Sequence, residues 1–142
     1  MSTVQPPKWF RAVVAFALVW NLMGIFNFYT QITLSEEAIA VLPLAEQELM
    51  NTTPLWSLIA FAIGVLGGSL GCIGLLTQKR WAFFPMLFSL IAVMAQMSYW
   101  LFFTKAVEVY GNSTYAMPTV VIVVAFLLFR LSKNGIDKGY LR

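Results

Sequence analysis

The sequence contains no histidine, a single cysteine and only 11% charged residues. Without histidine there is no bis-histidine haem, no Glu-x-x-His di-iron pattern, no zinc-protease motif and no histidine general base. Cys72 has no second thiol in the chain to pair with, and its place inside an apolar run makes it a small packing residue. Walker A loops, dinucleotide fingerprints and nucleophile elbows are absent as well. The expectation is a protein that is not an enzyme, with no catalytic residue, no metal site and no cofactor.

Acidic residues are also few: six, none of them inside a long apolar run. Proton-coupled carriers commonly relay protons through a buried carboxylate, so the small four-span multidrug antiporters fit poorly.

What the chain has in abundance is apolar surface. Sixty per cent of its 142 residues are hydrophobic, and the mean hydropathy is +0.79, far from the composition of a soluble domain. Four runs, near 12–33, 55–77, 81–103 and 117–131, approach or exceed the roughly 20 residues that a helix needs to cross a bilayer. The fourth, "MPTVVIVVAFLLFRL", is the shortest, but its uniform aliphatic character predicts a tilted or slightly extended span. Little chain remains for anything else. The expected fold is all-α: a single transmembrane bundle of four helices occupying residues 1–142.

Charge gives an orientation. Lys8 and Arg11 precede the first run, Lys79 and Arg80 separate the second from the third, and Arg130, Lys133, Lys138 and Arg142 end the chain. Lys105 alone lies on the other side. The positive-inside rule puts both termini and the short 77–81 turn in the cytoplasm, with loops 34–53 and 104–116 outside. Glu36, Glu37, Glu46, Glu48 and Glu108 fall in those outer loops. So one-sided a bias disfavours antiparallel dual-topology pairs, small fluoride channels among them. The net charge of +3 is divided among cytoplasmic edges, which suits anionic lipid headgroups and not nucleic acid. Trp9, Trp56 and Trp81 stand at expected water boundaries, Trp20 and Trp100 deeper. The first run is about twice the length of a signal-peptide core, and the "AIA" at 38–40 follows an acidic stretch, so span one is expected to be retained.

Amides inside the spans need a reason, because they are costly in hydrocarbon without partners. Within "WNLMGIFNFYTQ" (20–31), Trp20, Gly24, Asn27 and Gln31 fall on one helical face, with Asn21 at its edge. In span three, Ser89, Ala92, Gln96, Tyr99 and Phe103 line up similarly. Asn27 lies sixteen residues beyond Arg11, and Gln96 sixteen beyond Arg80, so the two amides are expected at equal height in the outer half of the membrane.

Between them, span two offers small residues: Ala60, Gly64, Gly67, Gly68 and Gly71, in the small-xxx-small spacing that lets helix backbones approach. Packing within the monomer is the expected use, with an oligomer interface as the alternative. The amides have two readings. Asn27, Gln31, Gln96 and Tyr99 either hydrogen-bond across helices and fix their register, or orient a small ligand between apolar walls made by Trp20, Tyr99, Trp100 and Phe103. Span four has no comparable polar face and is expected to face lipid or a partner.

The 35–54 loop, "SEEAIAVLPLAEQELMNTTP", reads as two short helices over the outer mouth. Ser35 caps the first, Pro43 opens the second and Pro54 opens span two. Ile39, Leu42, Ala45, Leu49 and Met50 give it an apolar underside, as an interfacial cap or a docking surface requires.

Taken together, "PPKWFR" (6–11), "LPLAEQEL" with "TPLW" (42–56), "GGSLGCIGLL" (67–76), "KRWA" (79–82) and Gln96 resemble a family of small, uncharacterised four-span bacterial inner-membrane proteins, some of whose members carry a sugar-transporter label. The resemblance implies four spans and a bacterial inner membrane, and it brings no catalytic residues. The leading functional expectation is a non-enzymatic inner-membrane protein acting by association, as an accessory or regulatory subunit or a homo-oligomer. The alternatives are a small-solute or sugar transporter with a polar pocket in the outer half, and a quinone-binding subunit of a redox complex.

Overall fold

A computed structural model describes residues 4–142. It is built of helices: α1 (Lys8–Thr33), α2 (Glu36–Ala40), α3 (Leu44–Asn51), α4 (Leu55–Leu76), α5 (Phe83–Phe102), α6 (Ala106–Tyr110) and α7 (Ala116–Asp137), with single 3-10 turns before α5 and α7. Four of these, α1, α4, α5 and α7, are long and apolar enough to cross a membrane. The last runs on past the expected end at 131, so that Lys133 is carried on helix and not on a tail.

Prolines set the entries. Pro7, Pro43 and Pro54 each occupy the residue just before a helix, in extended conformation, where a missing N–H costs nothing. Ser35 caps α2, its Oγ accepting the Ala38 N–H at 3.2 Å.

The long helices form an open arc in the order α1, α4, α5, α7. The closest packing is between α4 and α5, followed by α1 on α4 and α7 on α5, while α1 and α7 barely touch. Helix α4 is the centrepiece: 39% of its apolar window is buried, against 17% for α1. Its small residues make that position tenable. A methyl group on Gly71 would come within 2.7 Å of Met86, one on Gly67 within 2.9 Å of the Pro85 carbonyl oxygen, and one on Gly64 within 3.0 Å of Val93, all on α5. On the α1 side, a methyl on Gly68 would overlap the Asn21 side chain. Without a hydrophobic force between helices in lipid, such close van der Waals contact is what holds them.

The two ends of the bundle are built differently. At the end carrying both termini, Phe10, Val14, Ala17, Cys72, Leu75, Ala82, Met86, Leu128 and Leu141 form one buried cluster. Phe10 packs edge-on to Tyr140, with ring centroids 5.7 Å apart. The tail after α7 is strapped across this end: the Arg142 N–H donates to the Gln78 carbonyl at 2.8 Å, and the Arg80 N–H to the Arg142 carbonyl at 2.9 Å. The Val4 N–H reaches the Gly139 carbonyl at 3.2 Å.

Both α4 and α7 end there in the same doubly bonded cap. Lys79 N–H reaches the Gly74 carbonyl and Gln78 N–H that of Leu75, while Tyr140 N–H reaches Gly135 and Gly139 N–H reaches Ile136. The left-handed residue is Gly139 (φ 76°) in one cap but Gln78 (φ 59°) in the other.

At the opposite, loop end the packing thins. The buried residues of α1 stop at Asn21, and between Pro118 and Leu128 none of α7 is buried. Short helix α3 packs on α6 there.

Candidate functional site

The thinning leaves a cavity of about 310 Å³ inside the arc, walled by α1, α4, α5 and α7. It lies at the lower end of the size range of small-molecule sites, about 300–1,000 Å³. Its polar groups come from two helices. Asn21, Asn27 and Gln31 descend one face of α1, interleaved with Trp20 and Gly24, and Ser89 and Gln96 face them from α5. Gly64 and Val65 form the α4 wall, and Met86, beneath, forms the floor. The sequence periodicity in α1 thus marks the cavity face, and Asn27, Gln31 and Gln96 share one space. No lining residue is ionisable.

The hydrogen bonds differ from those expected across the helices. The side-chain amides of Asn27, Gln31 and Gln96 have no hydrogen-bond partner among the described residues. Asn27 and Gln31 are exposed at the cavity and Gln96 is half-buried. The interhelical tie is instead made by a hydroxyl: Ser89 Oγ donates to the Gly64 carbonyl at 2.6 Å. Gly64 leaves its carbonyl uncovered, so a short side chain on the neighbouring helix can reach it. Asn21, which is buried, turns its Nδ2 back to the Ala17 carbonyl at 2.8 Å and packs over Gly68. It is a fastener between α1 and α4, whereas the three outer amides are not fasteners.

Three expected wall residues lie elsewhere. Tyr99 is about 80° round the α5 axis from Ser89, which turns it onto α4, where it meets Trp56 edge-on at 4.8 Å. Phe103 stacks on Tyr99 at 6.2 Å and is largely exposed beyond the end of α5. Trp100 stacks on Tyr110 of α6 at 6.4 Å. Their places are taken by Phe61, Met97 and, from α7, Met117, Val121, Val124, Ala125 and Leu128. Helix α7 therefore closes one side of the cavity, in contrast to the lipid-facing role expected of it. Residues 120–129 of α7 are uniformly apolar, and such a stretch gives no periodic signal to separate a cavity face from a lipid face.

A second groove runs outside the bundle over α1, α4 and α5, bounded by residues such as Phe28, Ile32, Leu66, Leu70, Phe84 and Phe88. Not one of its lining side chains carries a hydrogen-bonding group. That is the character of a lipid-facing surface, and it sets the inner cavity apart. At the loop end, burial raises the Tyr110 phenol above its ordinary value, and the nearby Glu46 carboxylate raises it further.

Comparison with known protein families, with curated proteins and with solved structures gives no match.

Proposed function

We propose that this chain is a four-span membrane protein that binds one small, uncharged molecule rich in hydroxyl or carbonyl oxygens in the cavity between α1, α5 and α7. The observation that carries the reading is the set of three cavity amides, Asn27, Gln31 and Gln96, without partners. Accessible from the cavity and unengaged by the protein, the three can bond a guest without breaking a contact that holds the fold. Each offers two N–H donors and a carbonyl acceptor, a set matched by hydroxyls, ring oxygens and carbonyls. The absence of lining charge makes a neutral guest the right one.

This is the small-solute, sugar-type reading among those the sequence allows. The association reading rests on a full set of packing devices without a charged relay or catalytic group, and Ser89, Asn21 and the glycines of α4 are such devices. The charge bias supports a bacterial inner-membrane orientation with the terminal end cytoplasmic and the cavity towards the outside.

Asn27→Leu and Gln96→Leu, each in lipid nanodiscs, test it with methyl glucoside as probe. Expected are loss of the probe's stabilising thermal shift and an unchanged melting temperature without probe. A fall in melting temperature alone, with the shift retained, makes the amides structural and ends the proposal.

A further inference from the structure

The cavity is lined by both α1 and α7, the two long helices of the arc that pack least on each other. Helices α1 and α7 meet at the terminal end through Phe10, Val14, Leu128 and the Leu141 tail, then part. From there to the loop end, both helices line the cavity without burying each other. Two methionines stand at this cleft, Met23 on α1 and Met117 on α7, and they are 60% and 61% exposed. Methionine side chains are flexible and apolar, so they can part without moving backbone. The polar groups Asn27, Gln31 and Gln96 line the same cavity from α1 and α5. At the terminal end the buried cluster and the strapped tail close the bundle.

Resting on the binding reading above, we propose that the guest is an amphiphile dissolved in the membrane which enters sideways between α1 and α7. Its uncharged, hydroxyl-bearing head bonds Asn27, Gln31 and Gln96, and its single apolar chain leaves past Met23 and Met117 into lipid. A free polyol carries the same head chemistry, and the test separates the two sources. A geometric reason favours the amphiphile. A cavity of about 310 Å³ holds a head and the first part of a chain, and the cleft lets the remainder lie outside, so chain length is not limited by the volume.

The test uses the full chain in phosphatidylcholine nanodiscs with a chain-brominated monoacylglycerol, read by quenching of Trp20, which lines the cavity. The Trp20→Phe protein isolates that residue's signal. Expected is saturable quenching of Trp20 at low mole fraction, beyond that given by brominated phosphatidylcholine, with affinity falling about tenfold or more in Asn27→Leu and Gln96→Leu. Met117→Cys carrying a bulky maleimide, on an exposed site, should slow the approach to saturation about tenfold while leaving the melting temperature unchanged. Asn27→Gln, which retains the amide, serves as the conservative variant and should keep more of the affinity.

If aqueous glycerol displaces the lipid at equal free concentration and the Met117 adduct has no effect, sideways entry is overturned while the binding site stands. Quenching identical in wild type and both amide variants overturns the site as well. A particle containing two chains whose Trp20 no brominated lipid reaches gives the cleft to a second copy, and that too overturns the proposal.

Discussion

The terminal end and the loop end of this bundle are made from the same four helices, yet one is closed and the other is not. At the terminal end, side chains interlock, two helix caps are doubly bonded, and the final residues are tied to the α4–α5 turn. At the loop end, α1 and α7 separate around a cavity with unpartnered amides. The densest burial and the candidate binding cavity thereby lie in different places. The α4 and α5 walls of the cavity still grip each other through Gly64, Val93 and Ser89, whereas α1 and α7 do not.

The sharpest way to break this division is Phe10→Ala. Phe10 is 2% exposed in the terminal cluster, and removing its ring should cost about 3 kcal/mol, seen as a large fall in melting temperature. The corresponding loop-end changes, Asn27→Leu and Gln96→Leu, should leave stability nearly untouched. An equal loss at both ends would erase the distinction.

Gln78→Gly sharpens the contrast from the other direction. Gln78 occupies the left-handed cap position that glycine fills in the matching cap of α7, and its Oε1 is buried without a partner. Glycine there should raise stability by about 1 kcal/mol, measurable as a higher denaturation midpoint.

Ser89→Ala lies midway between the ends, and it removes the hydroxyl bond to Gly64. Interhelical bonds in membranes average about 0.6 kcal/mol, so thermal unfolding should shift only slightly while the cavity gains volume.

The smallest effect concerns pH. The raised Tyr110 pKa means that the folded loop end favours the neutral phenol. Its contribution is complete below the ordinary tyrosine value of about 10, and it is lost as pH rises through the folded value. Glu46→Gln should lower the pH at which Tyr110 ionises, seen by ultraviolet difference absorbance against a Tyr110→Phe protein. The terminal end should not respond.

Much of this division can be read from the chain. The 3.6-residue period of Trp20, Gly24, Asn27 and Gln31 defines the cavity face of α1, because those four residues share one side of one helix. Glycines at 64, 67, 68 and 71 foretell a close-packed α4 for the same reason. What a single helix cannot reveal is the partner opposite. Tyr99 and Gln96 share a broad stripe, but a modest rotation turns Tyr99 to Trp56. Trp100 is claimed by Tyr110, which sits in a short helix hidden in the 104–116 segment. The expected amide-to-amide bonds required α1 and α5 to be neighbours, whereas in the folded chain α4 stands between them. The α7 wall left no trace because every side of that helix is apolar in the relevant stretch. Leu141 and the terminal strap depend on tail contacts set entirely by tertiary structure.

Met86 gives the cavity floor a mechanical property. It is 1% exposed and rests against Gly71, with only sulfur and methylene groups between the helix backbone and the space above. A thioether has several rotatable bonds of nearly equal energy, so the floor is a cushion whose height adjusts without displacing either helix. On the binding reading proposed above, one side chain would accommodate guests that differ by a heavy atom or two, and selectivity would fall to the amides.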